Sequence, residues 1–206
     1  MRSGLAPPQC CTGCRLRPEV CVCAQAPRLS VSTRVIVVIH SKEWRRSTNT
    51  GHLARLAVQG GEIRIHGSPR HALSSEGIDS SSSTLVLYPG RGAIPLTAEY
   101  VASLRRPVTL LIPDGNWNQA RKMMGRLPML RQAHPVRLAG PSLDLPNSRH
   151  NVRADRMSTF EAIAQALGIL EDSAIEDQLL AFLRQVLDRM VQNPRRRSPR
   201  SRLVQR

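Results

Sequence analysis

The chain has 206 residues, of which 41% are hydrophobic and only 3% aromatic. This length and composition suit one α/β domain with an aliphatic core and exclude a wholly disordered protein. The formal net charge of +15 and the pI near 11.4 predict a polyanionic partner, with nucleic acid first among the candidates. The alternative is a solvated surface joined to a basic tail.

A basic C-terminal segment accounts for part of this charge. Residues 190–206 contain six Arg and no acidic residue, so the remainder of the chain keeps a net charge of +9. The positive excess therefore belongs to the folded part as well. We expect residues 193–206 to form a disordered basic tail.

Signals for export and membrane insertion are missing from the pattern. The N-terminal segment lacks the apolar run of a secretory signal, and no stretch approaches the roughly 20 apolar residues of a membrane span. All five Cys lie between positions 10 and 23, which disfavours a distributed disulfide framework. These features favour a cytoplasmic protein with metal-bound thiolates.

Strands and helices are predicted to alternate along the chain. The predicted strands are 34–40 (RVIVVIH), 62–67 (EIRIHG), 84–90 (TLVLYPG), 108–115 (VTLLIPDG) and 135–139 (PVRLA). The predicted helices are 48–61, 96–106, 116–126, 155–170 and 177–191, with a polar loop at 71–83. This order predicts an α/β fold with a mostly parallel sheet and helices on both faces. Sites in such sheets form beyond the C-terminal strand ends, here after Ile39, Leu87 and Ile112.

The cysteine cluster predicts a small zinc-binding arm over residues 9–25. Cys11, Cys14, Cys21 and Cys23 supply the four soft ligands that structural zinc requires. Cys10 could replace Cys11. Free thiols or a redox pair are the alternatives. Because all four ligands would come from the protein, the metal would be structural.

The segment PDGNWNQARKMM places Asp114 directly after a buried strand and before a helix. The carboxylate is a candidate catalytic group, but Asp114 or Asn116 could equally well cap the helix. Trp117 could pack in the core or form a wall for a flat ligand. Arg121 and Lys122 could reach phosphates or simply face solvent.

Five ordered segments resemble the DTW-domain family. The first is DGNWNQARKM itself, in which Asn116 stands where the family typically has Thr. The others are the cysteine cluster, HSKEWRRSTNTG at 40–51, LYPG at 87–90 and MSTFEA at 157–162. The resemblance extends from about residue 10 to residue 190.

This resemblance implies a SPOUT-like fold with a C-terminal trefoil knot that holds S-adenosylmethionine. The implied activity transfers the 3-amino-3-carboxypropyl group of S-adenosylmethionine to N3 of a uridine in tRNA and releases methylthioadenosine. Asp114 is then the group expected to accept the N3 proton, or only to orient it. An ordinary Asp titrates at about 3.9, which makes it a weak base for this task.

The positions of further residues suggest which of them contact the donor and the RNA. The expected donor contacts are Leu87, Tyr88, Pro89, Gly90, Leu111, Ile112, Pro113, Trp117, Ser158, Thr159 and Glu161. The expected RNA contacts are Arg45, Arg46, Asn49, Arg121, Lys122, Arg153 and Arg156. Asn49 could instead simply occupy a turn. Ser158 and Glu161 also have the spacing of a capping box.

The predicted organisation is therefore the zinc arm at 9–25, a catalytic domain at 30–192 and the basic tail at 193–206. The expected partner is tRNA, with neither DNA nor a membrane. For His40 and His52 we expect structural roles. Two rival functions are a SAM-dependent SPOUT-like RNA methyltransferase and a zinc-containing RNA-binding module without catalysis.

Overall fold

The computed structural model describes residues 10–46, 48–67, 82–139 and 157–192. Within these ranges, six strands form one sheet in which every neighbouring pair is parallel, in the order β2-β1-β5-β3-β6-β4. The strands are β1 (Arg34–His40), β2 (Glu62–His66), β3 (Ser83–Leu87), β4 (Ile94–Pro95), β5 (Val108–Asp114) and β6 (His134–Arg137). The prediction of a parallel α/β sheet is confirmed.

The helices lie between the strands and after the last of them. The described α-helices are α1 (Ser41–Trp44), α2 (Ala54–Ala57), α3 (Ala98–Ala102), α4 (Trp117–Arg126), α5 (Pro128–Arg131), α6 (Thr159–Leu170) and α7 (Ser173–Gln192). Short 3-10 turns occupy Pro18–Val20, Cys23–Gln25 and Gly51–Leu53. None of the helices in the described ranges is both long enough and apolar enough to cross a membrane.

Alternation along the strands divides the core into two layers. Val35, Val37 and Ile39 pack with the side chains of α6 and α7, whereas Ile36 and Val38 pack with those of α4 and α5. Successive strand residues point to opposite faces, so one apolar strand supplies both layers. The sheet is therefore covered on both faces, as its continuous apolar strands predict.

The helix predicted at 48–61 is much shorter in the structure. It comprises the 3-10 turn and the single turn of α2, and Val58 then forms a parallel bridge with Leu29. The backbone N–H of Leu29 donates to the carbonyl of Ala57, and that of Gln59 donates to Leu29. This pairing replaces the hydrogen bonds that a longer helix would make. The sequence analysis also missed β4 and α5, which are two and four residues long.

Three expectations fall wholly or partly outside the described residues. They are the 71–83 loop up to residue 81, the basic tail at 193–206 and the first residues of the 155–170 helix. Residues 140–156, between β6 and α6, also lie outside the described ranges. The trefoil knot stays a prediction.

Candidate active site

Asp114 is the last residue of β5, and the fold buries its carboxylate at the carboxyl edge of the sheet. The side-chain amide of Asn49 donates to Oδ2 over 2.5 Å, and the hydroxyl of Thr159 donates to Oδ1 over 2.9 Å. Asn49 follows β1 and Thr159 begins α6, so three distant segments meet at one carboxylate. Both oxygens are held in place, which fixes the orientation of the group.

Gly51 approaches this carboxylate closely. A Cβ built at Gly51 would collide with Oδ2 of Asp114 and would lie 3.2 Å from Cγ2 of Thr159. Neighbouring Thr50 accepts a 3.3 Å hydrogen bond from the backbone N–H of Phe160, which ties the same turn to α6. In the NTG sequence at 49–51, the first residue therefore donates to the carboxylate, the second links the turn to α6, and the third leaves room for the carboxylate.

Burial raises the pKa of the Asp114 carboxyl above its usual value. The hydrogen bonds from Asn49 and Thr159 oppose this effect, and the nearby Glu43 carboxylate adds to it. A raised pKa makes Asp114 a stronger base than an ordinary Asp. The surroundings thus move the pKa of Asp114 toward neutral pH, which is the direction that proton acceptance requires.

The helix after β5 is capped by Asn116 rather than by Asp114. The Asn116 side chain accepts from the Gln119 backbone N–H over 3.0 Å, and the Gln119 side chain accepts from the Asn116 N–H over 2.7 Å. This reciprocal capping box leaves the Asp114 carboxylate for its contacts with Asn49 and Thr159. Asn116 thus supplies a side-chain cap at the position where the family typically has Thr.

A cleft of about 540 Å³ lies beside Asp114, beyond the ends of β3, β5 and β6. Its volume is typical of small-molecule sites. The carboxyl ends of parallel strands predict this location. The lining residues are Leu87, Tyr88, Pro89, Ile112, Pro113, Gly115, Asn116, Trp117, Ala120, Arg137, Leu138, Met157, Ser158, Thr159 and Ala162.

Trp117 and Tyr88 form an aromatic wall of this cleft. Their rings meet edge to face with centroids 5.7 Å apart, and Trp117 is 54% exposed. Its exposure shows that Trp117 is not a core residue. The arrangement presents aromatic surface to a flat ligand.

Eight of the eleven residues expected to contact the donor line the cleft, whereas Gly90, Leu111 and Glu161 do not. Leu111 packs in the layer formed with α4 and α5, because it points to the opposite face from Ile112. The buried Glu161 carboxylate accepts from the Ser158 N–H over 3.2 Å, while the Ser158 hydroxyl accepts from the Glu161 N–H over 3.3 Å. The capping box predicted for these two residues is present.

Arg137 is a cleft residue that the sequence analysis missed. It ends β6, and its Nε donates to the carbonyl of Ala93 over 3.3 Å. Among the residues lining the cleft in the described ranges, Arg137 is the only one with a cationic side chain. The sequence feature that could have identified Arg137 is its position near the C-terminal end of a predicted strand, where sites in parallel sheets form.

The residues expected to contact RNA have different surroundings. Arg45, Arg121 and Lys122 are exposed, and Arg46 is exposed while pairing with Glu43 over 3.2 Å. Asn49 is buried against Asp114, so its position suits a role in the site rather than in an RNA surface. Arg153 and Arg156 lie outside the described residues.

The four predicted ligand cysteines converge on one point. The sulfur atoms of Cys11, Cys14, Cys21 and Cys23 all lie within 4.8 Å of one another. The Cys11–Cys23 and Cys14–Cys21 sulfurs are 3.4 and 3.6 Å apart. Tetrahedral zinc with Zn–S bonds of about 2.3 Å separates its sulfurs by roughly 3.8 Å, so the donor set fits.

Gly13 makes this cysteine turn possible. A Cβ at Gly13 would lie 2.8 Å from the Cys23 sulfur and 3.1 Å from Cδ2 of Leu56. Cys10 is exposed and does not belong to the converging group. The geometry therefore favours Cys11 over Cys10 as the fourth ligand.

The cysteine arm packs against the segment that carries Asn49. Nε2 of His52 lies 3.2 Å from the carbonyl oxygen of Cys14. Arg15 donates to the carbonyl of Trp44 over 2.8 Å, and its guanidinium stacks 3.6 Å from the centre of the Trp44 ring. His52 thus has a structural contact, as expected. These contacts connect the arm to both ends of the 44–52 turn.

Comparison with known proteins shows which family the chain belongs to. The DTW domain model matches residues 8–191. The chain is 30% identical to the tRNA-uridine aminocarboxypropyltransferase 2 of Drosophila melanogaster over 169 residues, covering 78% of the chain and 66% of that protein. It is 27% identical to the proteins of the same name from Macaca fascicularis and Mus musculus over 177 residues, covering 82% of the chain and 59% of each.

The chain therefore spans about two thirds or less of the length of these relatives. Among solved structures, it is similar to the SAM-dependent rRNA:acp-transferase Tsr3 from Vulcanisaeta distributa. The TM-score is 0.41 and the identity 20%, over 78% of this chain and 79% of that one. Since the family model matches nearly the whole described chain, the protein belongs to the DTW-domain family.

Proposed function

We propose that this protein transfers the 3-amino-3-carboxypropyl group of S-adenosylmethionine to N3 of a uridine in tRNA. The observation that carries the proposal is the Asp114 carboxylate, which is buried beside a nucleoside-sized cleft and oriented by Asn49 and Thr159. Thr159 links the two features because it lines the cleft and donates to Asp114. The names of the relatives support the same activity.

The cleft is suited to the donor. Trp117 and Tyr88 offer aromatic surface for the adenine, and Arg137 offers a cation for the donor carboxylate. The sulfonium, when bound, activates the adjacent carbon of the aminocarboxypropyl group. The wall from Leu87 to Pro89 and the Ile112–Pro113 strand end would select which carbon faces the acceptor, since only an aligned carbon reacts.

Asp114 acts on the acceptor in this proposal. Uridine N3 forms a bond to the aminocarboxypropyl carbon while the bond between that carbon and sulfur breaks. The electron pair of the breaking bond stays on sulfur in methylthioadenosine. The N3 proton passes to the Asp114 carboxylate and from there to solvent. Burial raises the pKa of Asp114, which favours this transfer, and the Asn49 and Thr159 hydrogen bonds keep its lone pairs aimed.

The proposal extends to the rest of the chain. Residues 9–25 would bind a structural zinc ion through Cys11, Cys14, Cys21 and Cys23, which supports the 44–52 turn from outside the site. Residues 30–192 would form a SPOUT-like catalytic domain with a C-terminal knot. The tail at 193–206 would add electrostatic contacts to tRNA.

Product analysis tests the function directly. Purified protein is incubated with S-adenosylmethionine and unmodified tRNA, and both the released nucleoside and the digested tRNA are analysed by mass spectrometry. We expect methylthioadenosine together with aminocarboxypropyl-uridine. Release of S-adenosylhomocysteine would instead establish a methyltransferase, and tRNA binding without any release would establish a binding module.

A further inference from the structure

A second cleft, of about 290 Å³, lies beyond the ends of β1 and β2 and against one side of α4. His40 and His66 end these two strands and are register partners, with ring centroids 6.1 Å apart. Side chains of α1 and α4 complete the cavity. Its lining residues are His40, Lys42, His66, Asn116, Asn118, Gln119, Lys122, Met123 and Arg126.

Within the described ranges, the residues lining this cleft include three with cationic side chains and none with an acidic one. Lys122 and Arg126 are one turn apart on α4, so their like charges repel each other. In the part of the chain that the structure describes, neither of them nor Lys42 forms an ion pair. Gathering like charges around a cavity costs free energy, which a bound anion would offset.

The two histidines add donors to this set. Nδ1 of His40 accepts the Lys42 backbone N–H over 3.2 Å, so the neutral ring carries its proton on Nε2 and can donate from there. Burial lowers the pKa of His40, and Lys42 and Lys122 lower it further against an opposing effect of Glu43. Burial also lowers the pKa of His66, as do His40 and Arg126. The neighbouring cations thus create a positive potential at both rings.

The second cleft adjoins the first. Asn116 lines both, so the N-terminus of α4 forms the ridge between them. A nucleotide lying across this ridge would place its base at the Asp114 end of the first cleft, beside the donor. Its phosphate would then lie on the side of Lys122 and Arg126.

We propose that the second cleft binds a phosphodiester of the acceptor RNA strand next to the nucleotide whose base enters the first cleft. This inference rests on the proposed function and adds a site to it. Phosphate contacts of this kind position a strand without reading its sequence. The cleft would therefore set the register of the uridine relative to Asp114.

Charge-removing variants test the assignment. Lys122→Ala and Arg126→Ala are compared with Arg184→Ala, which removes one exposed charge from α7 away from both clefts. The dissociation constant for unmodified tRNA is measured by fluorescence anisotropy across a salt series, without S-adenosylmethionine. Each cleft variant should weaken binding about fivefold and reduce the salt slope by about one, while Arg184→Ala leaves both unchanged.

Equal behaviour of the cleft variants and Arg184→Ala would overturn the assignment. A titration with inorganic phosphate separates a strand site from a free-anion site. Phosphate binding that Arg126→Ala abolishes, combined with unchanged tRNA affinity, would also overturn it. Methylthioadenosine release by the wild-type protein is measured in parallel, so failure of the phosphate site and failure of the proposed activity give different results.

Discussion

The side-chain amide of Asn49 donates a 2.5 Å hydrogen bond to the carboxylate of Asp114, although 65 residues separate them in the chain. The bond joins the turn after β1 to the end of β5, which are adjacent strands of the sheet. It opposes the effect of burial on the Asp114 pKa and keeps one oxygen in a defined direction.

Asp114→Asn should separate stability from activity. The amide can accept from Asn49 and donate to the Thr159 hydroxyl, so both contacts can be replaced without a buried charge. We expect kcat/KM for methylthioadenosine release to fall by about 10²- to 10⁴-fold. Circular dichroism should show a melting temperature equal to or above that of the wild type. Unchanged turnover by the folded variant would remove Asp114 from the chemistry.

The stability difference should depend on pH. Because burial raises the folded-state pKa of Asp114, the folded wild type binds the Asp114 proton more tightly than the unfolded chain does. The wild type loses this stabilisation as pH rises from about 3.9 through the raised pKa. Asp114→Asn has no titrating group at this position, so its stability does not fall in this way. The melting temperature of the variant relative to the wild type should therefore increase across that window. A difference that stays constant between pH 4 and pH 8 would contradict the raised pKa.

Thr159→Val and Thr159→Ser form a matched pair at the other carboxylate oxygen. Valine keeps the shape of Thr159 but removes the hydroxyl that donates to Oδ1, whereas serine keeps that donor. Losing the hydrogen bond raises the Asp114 pKa further, because the bond stabilises the charged form. We expect the acid limb of the pH–rate profile to move to higher pH in Thr159→Val only. Coincident profiles for the two variants would show that the hydroxyl does not act on Asp114.

Gly51→Ala should disrupt the site, whereas Gly125→Ala should not. The new methyl at position 51 would collide with Oδ2 of Asp114, and the carboxylate has little room to move because two donors hold it. Gly125 lies in α4 with nothing within 4 Å of its built Cβ, so alanine there should stabilise the helix by up to about 1 kcal/mol. Chemical denaturation and turnover assays distinguish the two. Wild-type activity in Gly51→Ala would contradict the close approach.

Cys14→Ser should lose the proposed zinc, and Cys10→Ser should retain it. Cys14 is buried among the converging sulfurs, while Cys10 is exposed outside them. We expect about one zinc per chain in the wild type and in Cys10→Ser, measured by mass spectrometry of the purified proteins. Because the Cys14 carbonyl contacts His52, loss of zinc should also lower the melting temperature. A zinc content below half an equivalent in the wild type would rule out the metal site.

Local patterns identified the strands more accurately than the helices. The apolar run of β1 was predicted at its observed bounds, and Asp114 at the end of β5 was recognised as a candidate for chemistry. Short helices were misjudged since their extent depends on partners elsewhere, as the bridge between Leu29 and Val58 shows. Asn49 was expected to contact RNA. The neighbouring sequence does not indicate that this residue is buried against Asp114.

The sequence alone determined the parallel α/β class, the cysteine cluster and Asp114 as the candidate catalytic group, because these depend on local periodicity and spacing. It left open whether Asp114 caps the helix, and it assigned His40 a structural role without a binding site. Only the tertiary structure decided that Asn116 is the cap and that His40 meets Lys122 and Arg126 in one cleft. The physical reason is that these contacts join residues from separate strands and helices, and the order in which the strands pack sets their distances.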